Sequence, residues 1–234
     1  MPNAPEQYSL LGTTDDVASS AASIIASRPV FDLRNSQIAA YEYIACDPDS
    51  FLPNKNILSV ADLQYILEMG KSLSLPEIFL SVPTDVFVEI DHSDKIAWTL
   101  RSLLSQGTVV SILLSATDDI ATAHSIGSAM QNWRRIGCSV GMDGFGYAAV
   151  PALWPLVHNV DVIRFDPRLI GMVRANVIPA LPAQKLVQLV AAMNISRIIL
   201  DGCLSRDDAL MFQEAGATYG QGPAFGEFSL TQPH

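Results

Sequence analysis

The sequence predicts an α/β fold: a closed, TIM-like (β/α) barrel with an N-terminal appendage. Three observations carry this. Short apolar runs of strand length alternate with amphipathic helical stretches along the chain. The strand runs are apolar nearly throughout, as strands covered on both faces must be. At 234 residues the chain has room for about eight such strands in one domain. An open doubly wound sheet is the alternative, but no glycine-rich dinucleotide or P-loop motif follows the first strands.

Residues 1–27 read as a tail rich in Ala, Ser and Thr, and residues 28–234 as the barrel. Within the tail, "DDVASSAASIIAS" predicts one helix, with Thr14 or Asp15 as its cap. "RPVFDL" and "QIAAYEYIA", separated by "RNS", form a hairpin-like pair. A helical pattern covers Ser59 to Lys71, and "EIFLSV" is the next strand. "KIAWTLRSLLSQG" places Ile96, Leu100, Leu103 and Leu104 at helical spacing and closes on Gly107. "TVVSILLS" is a strand, and "DDIATAHSIGSAMQNWRRIG" is a helix opening on acids and ending on Arg134 and Arg135, as the helix dipole favours. "CSVGMD", "VDVIRF" and "SRIILD" are three further strands. Between the last two, "PAQKLVQLVAAMN" is a helix with Leu186, Leu189, Val190 and Met193 on one stripe. "SRDDALMFQEAG" is the final helix, with Ser205 as its cap, and "ATYGQG" is a short closing strand.

Composition narrows the function. A formal net charge of −10 argues against binding duplex nucleic acid or an anionic membrane, both of which need clustered Lys and Arg. Cys46, Cys138 and Cys203 lie far apart without metal-ligand spacing and suit a reducing compartment. His92, His124, His158 and His234 show no pairing. No cationic start with an apolar core marks a signal peptide, and no run approaches the roughly 18 apolar residues of a spanning helix, so a cytoplasmic location is expected.

In a (β/α) barrel the C-terminal strand ends carry the chemistry. Glu42, Ser111, Asp143, Arg164 and Asp201 all fall near such ends. Asp143 sits in "GMDGFG", where a carboxylate between glycines suits a metal ligand, a general base or a plain turn acid.

Those strand ends, in this order, resemble the EAL domain, a bacterial phosphodiesterase domain that hydrolyses cyclic di-GMP. In "RPVFDLRNSQIAAYEYIA", "EYI" stands where the family has Glu-Ala-Leu. "GMDGFGYA" is similar to the Asp-Asp-Phe-Gly-Thr-Gly turn, and "VDVIRFDPRLI" to the Val-Asp-x-Leu-Lys-Ile-Asp strand. "LDGCLSRDDALMFQEAGATYGQGPAFGEF" runs without gaps against the Ala-Glu-Gly-Val-Glu helix and the closing Gln-Gly-Tyr-x-Phe-Gly.

The resemblance implies a site in which two divalent cations polarise a phosphate and activate a water. Carried over by position, Glu42 would be the first metal ligand and Asp143 the first of the paired carboxylates, with Gly144 in place of the second. Pro83 stands where an Asn is expected, and the next Glu falls near Ser111, with no acid nearby. Arg164 replaces a Lys, Asp201 replaces a Glu, Leu204 replaces a later Glu, and Gln221 is kept. The family's ligand grip, a Gln, an Arg and an Asp, corresponds to Arg28, Cys46 and Asp166.

These replacements imply a catalytically inactive member with Glu42, Asp143, Arg164, Asp201 and Gln221 as relic positions and no bound cofactor. Arginine does not readily lose its proton, so Arg164 cannot take over a step that needs a neutral amine. A salt bridge from Arg164 to Asp143 or Asp201 across the barrel mouth is the structural alternative to phosphate binding. The expected role is a cyclic di-GMP receptor or a protein-interaction adaptor acting in trans, with a homodimer through the surface near the "GMDGFG" turn. The rival is an active phosphodiesterase whose Mg or Mn site is rebuilt with Asp47 or Asp118.

Overall fold

The structure is a computed structural model that describes residues 24–47, 54, 58–73, 75–89, 94–115, 123–147 and 154–230. Its strands are β1 (Ile24–Asp32), β2 (Gln37–Cys46), β3 (Glu77–Val82), β4 (Val109–Ser115), β5 (Ser139–Phe145), β6 (Val162–Phe165), β7 (Arg197–Leu200), β8 (Tyr219–Gly220) and β9 (Ser229–Leu230). They pair in the order β2-β3-β4-β5-β6-β7-β8-β1, and β1 pairs back onto β2 to close an eight-strand ring. β1 is antiparallel to both neighbours, and all pairs from β2 to β8 are parallel. β9 joins β1 at Ala26 and Ser27, further along the edge that β8 takes at Phe31 and Asp32.

The hairpin is as expected, but it starts earlier than the tail boundary at residue 28. Ile24 to Ser27 pair with Cys46 to Tyr43, and Ile25 and Ala26 are buried. The Ala- and Ser-rich composition reads as helix locally, yet here the chain finds its backbone partners in β2. The rest of the predicted tail helix lies outside the described residues.

The helices are α1 (Val60–Leu73), α2 (Thr84–Glu89), α3 (Asp94–Ser105), α4 (Ala123–Ile136), α5 (Pro167–Arg174), α6 (Ala180–Ala192) and α7 (Arg206–Gln213). α2 and α5 were not expected. α5 opens with Pro167 in its first turn behind Asp166, whose side chain accepts from the Arg168 amide as an N-cap should. Ser205 caps α7 in a reciprocal capping box with Asp208. On α6 the buried stripe is Ala183, Val187 and Val190 rather than the one expected, and Leu189 is 47% exposed. The first residues of the predicted fourth helix, 118–122, lie outside the described residues. None of the described helices is long and apolar enough to cross a membrane.

The main core lies between the strands' outer faces and the helices, where Ile78, Leu80 and Ile112 pack with Leu100, Leu103 and Trp133. Inside the barrel a separate apolar layer joins Val30, Ala40, Phe79, Leu113, Val162 and Ile199. Below it, at the strand starts, lies a polar layer. Ser111 donates to Glu77 at 2.7 Å, and Arg197 bonds Glu77, Ser111 and Ser139.

Candidate functional site

The apolar layer sets the level of the site above it. Side chains along a strand return to one face every second residue. Stepping two residues from Val30, Ala40, Phe79, Leu113, Gly141, Val162, Ile199 and Tyr219 toward the mouth gives Arg28, Glu42, Ser81, Ser115, Asp143, Arg164, Asp201 and Gln221. Each of the eight strands therefore delivers one polar side chain to the barrel mouth.

These side chains form one network. Arg164 donates from Nε to Asp143 Oδ1 at 2.7 Å and from Nη2 to Asp143 Oδ2 at 2.6 Å. Its remaining donors reach Glu42 Oε1 and Ser81 Oγ. Arg28 donates from Nε to Glu42 Oε2 and from Nη2 to Asp201 Oδ2, both at 2.7 Å. Gln221 Nε2 donates to Glu42 Oε2 at 2.8 Å. The backbone N–H of Gly144 donates to Asp143, and that of Gly202 to Asp201. Gly144 has φ +74°, a left-handed conformation that glycine adopts without strain as the chain turns after Asp143.

The network is nearly dry: Arg164, Glu42 and Gln221 are 0% exposed, Asp201 2% and Asp143 3%. Burial opposes the charge on Arg164, but Asp143 and Glu42 outweigh it and hold the guanidinium well above its ordinary pKa. Arg28 is likewise raised, with desolvation offset by Glu42 and Asp201. Three carboxylates face two guanidinium groups, so the pairing nearly neutralises the mouth from within. Among the described residues, the buried side-chain atoms without a hydrogen-bond partner are Thr84 Oγ1, Ser115 Oγ and Gln221 Oε1, all at this end of the barrel.

The structure brings Glu42, Asp143, Arg164, Asp201, Arg28 and Gln221 together. Ser111 is a correction: it lies in the polar layer at the opposite end, and the strand-end position beside Asp143 is Ser115. Ser111 and Ser115 share a face of β4, so parity alone cannot tell them apart, whereas the register to β5 can. Asp166 stands outside the ring. It caps α5 and pairs with Arg168, whose Nη2 reaches Asp166 Oδ2 at 2.7 Å while its guanidinium stacks 3.7 Å over the Tyr147 ring. Leu204 is 56% exposed in the loop before α7, and Asp118 lies outside the described residues. Ser81 and Ser115 were missed, and the two-residue step from a neighbouring apolar strand position is the signal that finds them.

The carboxylate oxygens decide what else the mouth can hold. Both oxygens of Glu42 accept from side chains, both oxygens of Asp143 accept from Arg164, and Asp201 accepts from Arg28 and Gly202. Among the described residues, no group of three or more His, Cys, Asp or Glu side chains is arranged to hold a metal ion.

The sequence pattern of the EAL domain matches residues 23–227. Solved structures that resemble the chain include the EAL enzyme Bd1971 bound to cAMP and cyclic di-GMP, with a TM-score of 0.67 and 16% identity over 89% of this chain and 62% of that one. Klebsiella pneumoniae BlrP1 in a calcium and cyclic di-GMP complex gives 0.64 and 18% over 89% of this chain and 56% of that one. An EAL domain protein from Listeria monocytogenes gives 0.65 and 14% over 88% of each chain. The chain thus spans 62% and 56% of the lengths of the first two, and at these identities the likeness is one of fold. No curated protein matches the chain.

Proposed function

The chain belongs to the EAL domain family, and from that footing we propose that it serves cyclic di-GMP signalling by binding, without hydrolysing the dinucleotide. The observation that carries this is the seat of Arg164. Its guanidinium lies between Glu42 and Asp143, where the family resemblance calls for a divalent cation, and it engages both carboxylates. A pair of dications would bring four positive charges to ligands already neutralised, beside two guanidinium groups that would repel them. Gly144 and Ser115 supply no carboxylate in place of those expected. The residues present do not fit a two-metal centre.

Within this reading the protein works as a receptor or as an adaptor that docks onto another protein. The arrangement favours the adaptor form. Cys46 stands where a phosphate-gripping Arg is expected, and Arg28 is engaged by Glu42 and Asp201 rather than free for a phosphate. Incubation with cyclic di-GMP and Mn²⁺ or Mg²⁺, with chromatography of the linear product, tests the reading. The expected result is no turnover. Turnover that Glu42→Ala abolishes would establish the phosphodiesterase instead.

A further inference from the structure

The segment after β8 leaves the mouth at Gln221 and returns along β1, with which it pairs as β9 at Ala26 and Ser27. Gly222 and Gly226 turn it, with the Gly226 amide donating to the Gly222 carbonyl at 3.1 Å. Gly226 has φ +145°, and a Cβ there would lie 2.8 Å from Pro29 Cγ, so only glycine lets the chain pass this close to β1. Up to this point the segment is well anchored. The Ala224 amide donates to the Cys203 carbonyl at 3.0 Å, and the Phe225 ring packs 5.2 Å from Phe31.

Beyond Gly226 the anchoring thins. Among the described residues, β9 is two residues long and pairs with β1 at Ala26 and Ser27, and Ser229 Oγ donates to the Ser27 carbonyl at 3.3 Å. Phe228 nevertheless occupies a defined seat. The Arg28 guanidinium lies 4.4 Å from its ring centroid, within cation–π range. The same ring packs with Ile24 on the buried cluster of Ala26, Ile44 and Cys46. A flat aromatic ring therefore covers both a buried guanidinium at the mouth and the apolar surface beside it, next to the short strand β9.

We propose that Phe228 and β9 form an autoinhibitory strap: the Phe228 ring closes the mouth over Arg28, and a ligand presenting a planar ring, of the cyclic dinucleotide class, enters only when the strap has lifted. Local opening draws on the least anchored segments of a fold, and a two-residue edge strand is such a segment. The second half of the proposal rests on the reading of the mouth as a binding site.

Cys46 reports the strap because it is buried in the cluster on which Phe228 packs, and Cys138 and Cys203 are buried outside that cluster. Burial raises the pKa of all three thiols, to about 12 for Cys138 and Cys203, so each needs an opening event to react. The experiment alkylates the full chain with iodoacetamide under native conditions and reads each cysteine by peptide mass spectrometry. Cys46 should react first, and Phe228→Ala should speed it at least about tenfold while leaving Cys138 and Cys203 unchanged. Phe228→Leu, which keeps apolar cover but loses the ring over Arg28, should fall between. Equal acceleration of all three cysteines, or none at Cys46, overturns the strap. Calorimetric titration with cyclic di-GMP reads the other half. Tighter binding by Phe228→Ala than by the wild type supports it, and no binding by either variant overturns the ligand assignment and the receptor form together, with the strap still judged by the cysteine rates.

Discussion

Arg164 on β6 and Asp143 on β5 form a two-bond pair, Nε to Oδ1 at 2.7 Å and Nη2 to Oδ2 at 2.6 Å, with neither side chain more than 3% exposed. The same guanidinium also bonds Glu42 and Ser81 on β2 and β3. One side chain therefore ties four strands together across the barrel mouth. A lysine could supply the charge but not the planar fork that engages Asp143 through two bonds and Glu42 through a third.

Removing that guanidinium leaves buried carboxylates without their counter-charge. Arg164→Met should lower the unfolding free energy by about 3–5 kcal/mol, the range for breaking one side of a buried ion pair. Arg164→Lys should lose less, since it keeps a cation. Urea denaturation of the three proteins checks both the size and the order.

Close packing under the mouth predicts a second effect. Gly141 on β5 faces Leu113 and Val162 inside the barrel, and a Cβ there would lie 2.7 Å from the Val162 carbonyl oxygen. Gly141→Ala should cost about 1–3 kcal/mol through overpacking. A fall in melting temperature with unchanged far-UV circular dichroism is the expected observation.

At the start of α7, Ser205 Oγ accepts from the Asp208 amide while Asp208 Oδ2 accepts from the Ser205 amide. Ser205→Ala should cost about 1 kcal/mol, as the loss of an N-cap does. Amide exchange in the first turn of α7 should rise with it.

Acid sensitivity should pass in part through Asp32. Side-chain hydrogen bonds from Arg34 hold its carboxyl below the ordinary range, against the opposing effect of burial. A carboxyl depressed in the folded state contributes stability that is complete above its unfolded value, about 3.9, and is lost as pH falls through the lower folded value. Stability measured from pH 6 down to about pH 3 should therefore decline less steeply in Asp32→Asn than in the wild type.

Much of this was legible in the sequence. "EIFLSV" and "VVSILLS" read as strands because they are apolar runs bounded by polar segments, and they are strands at Glu77–Val82 and Val109–Ser115. Glu42, Asp143, Arg164 and Asp201 were legible as a group because they fall at the ends of apolar strand runs, whereas Gln221 came only from the family resemblance. Their pairing was legible only in part. The sequence left Arg164 a bridge to Asp143 or Asp201, of which the structure has the first, but Arg28 to Asp201 spans 173 residues and follows from barrel closure alone. Ser111 was misplaced because two serines on one face of an apolar strand carry no mark of depth. Asp166 was read within a strand motif, and its capping role depends on Pro167 opening a short helix.

In the proposed reading, guanidinium groups rather than metal ions neutralise the carboxylates at the barrel mouth. Titrating Mn²⁺ into the wild-type protein near pH 7, with free Mn²⁺ read by electron paramagnetic resonance, tests it most directly. Free Mn²⁺ should track the added ion from the first aliquot. Tight uptake of two ions per chain, lost in Glu42→Ala, would contradict it.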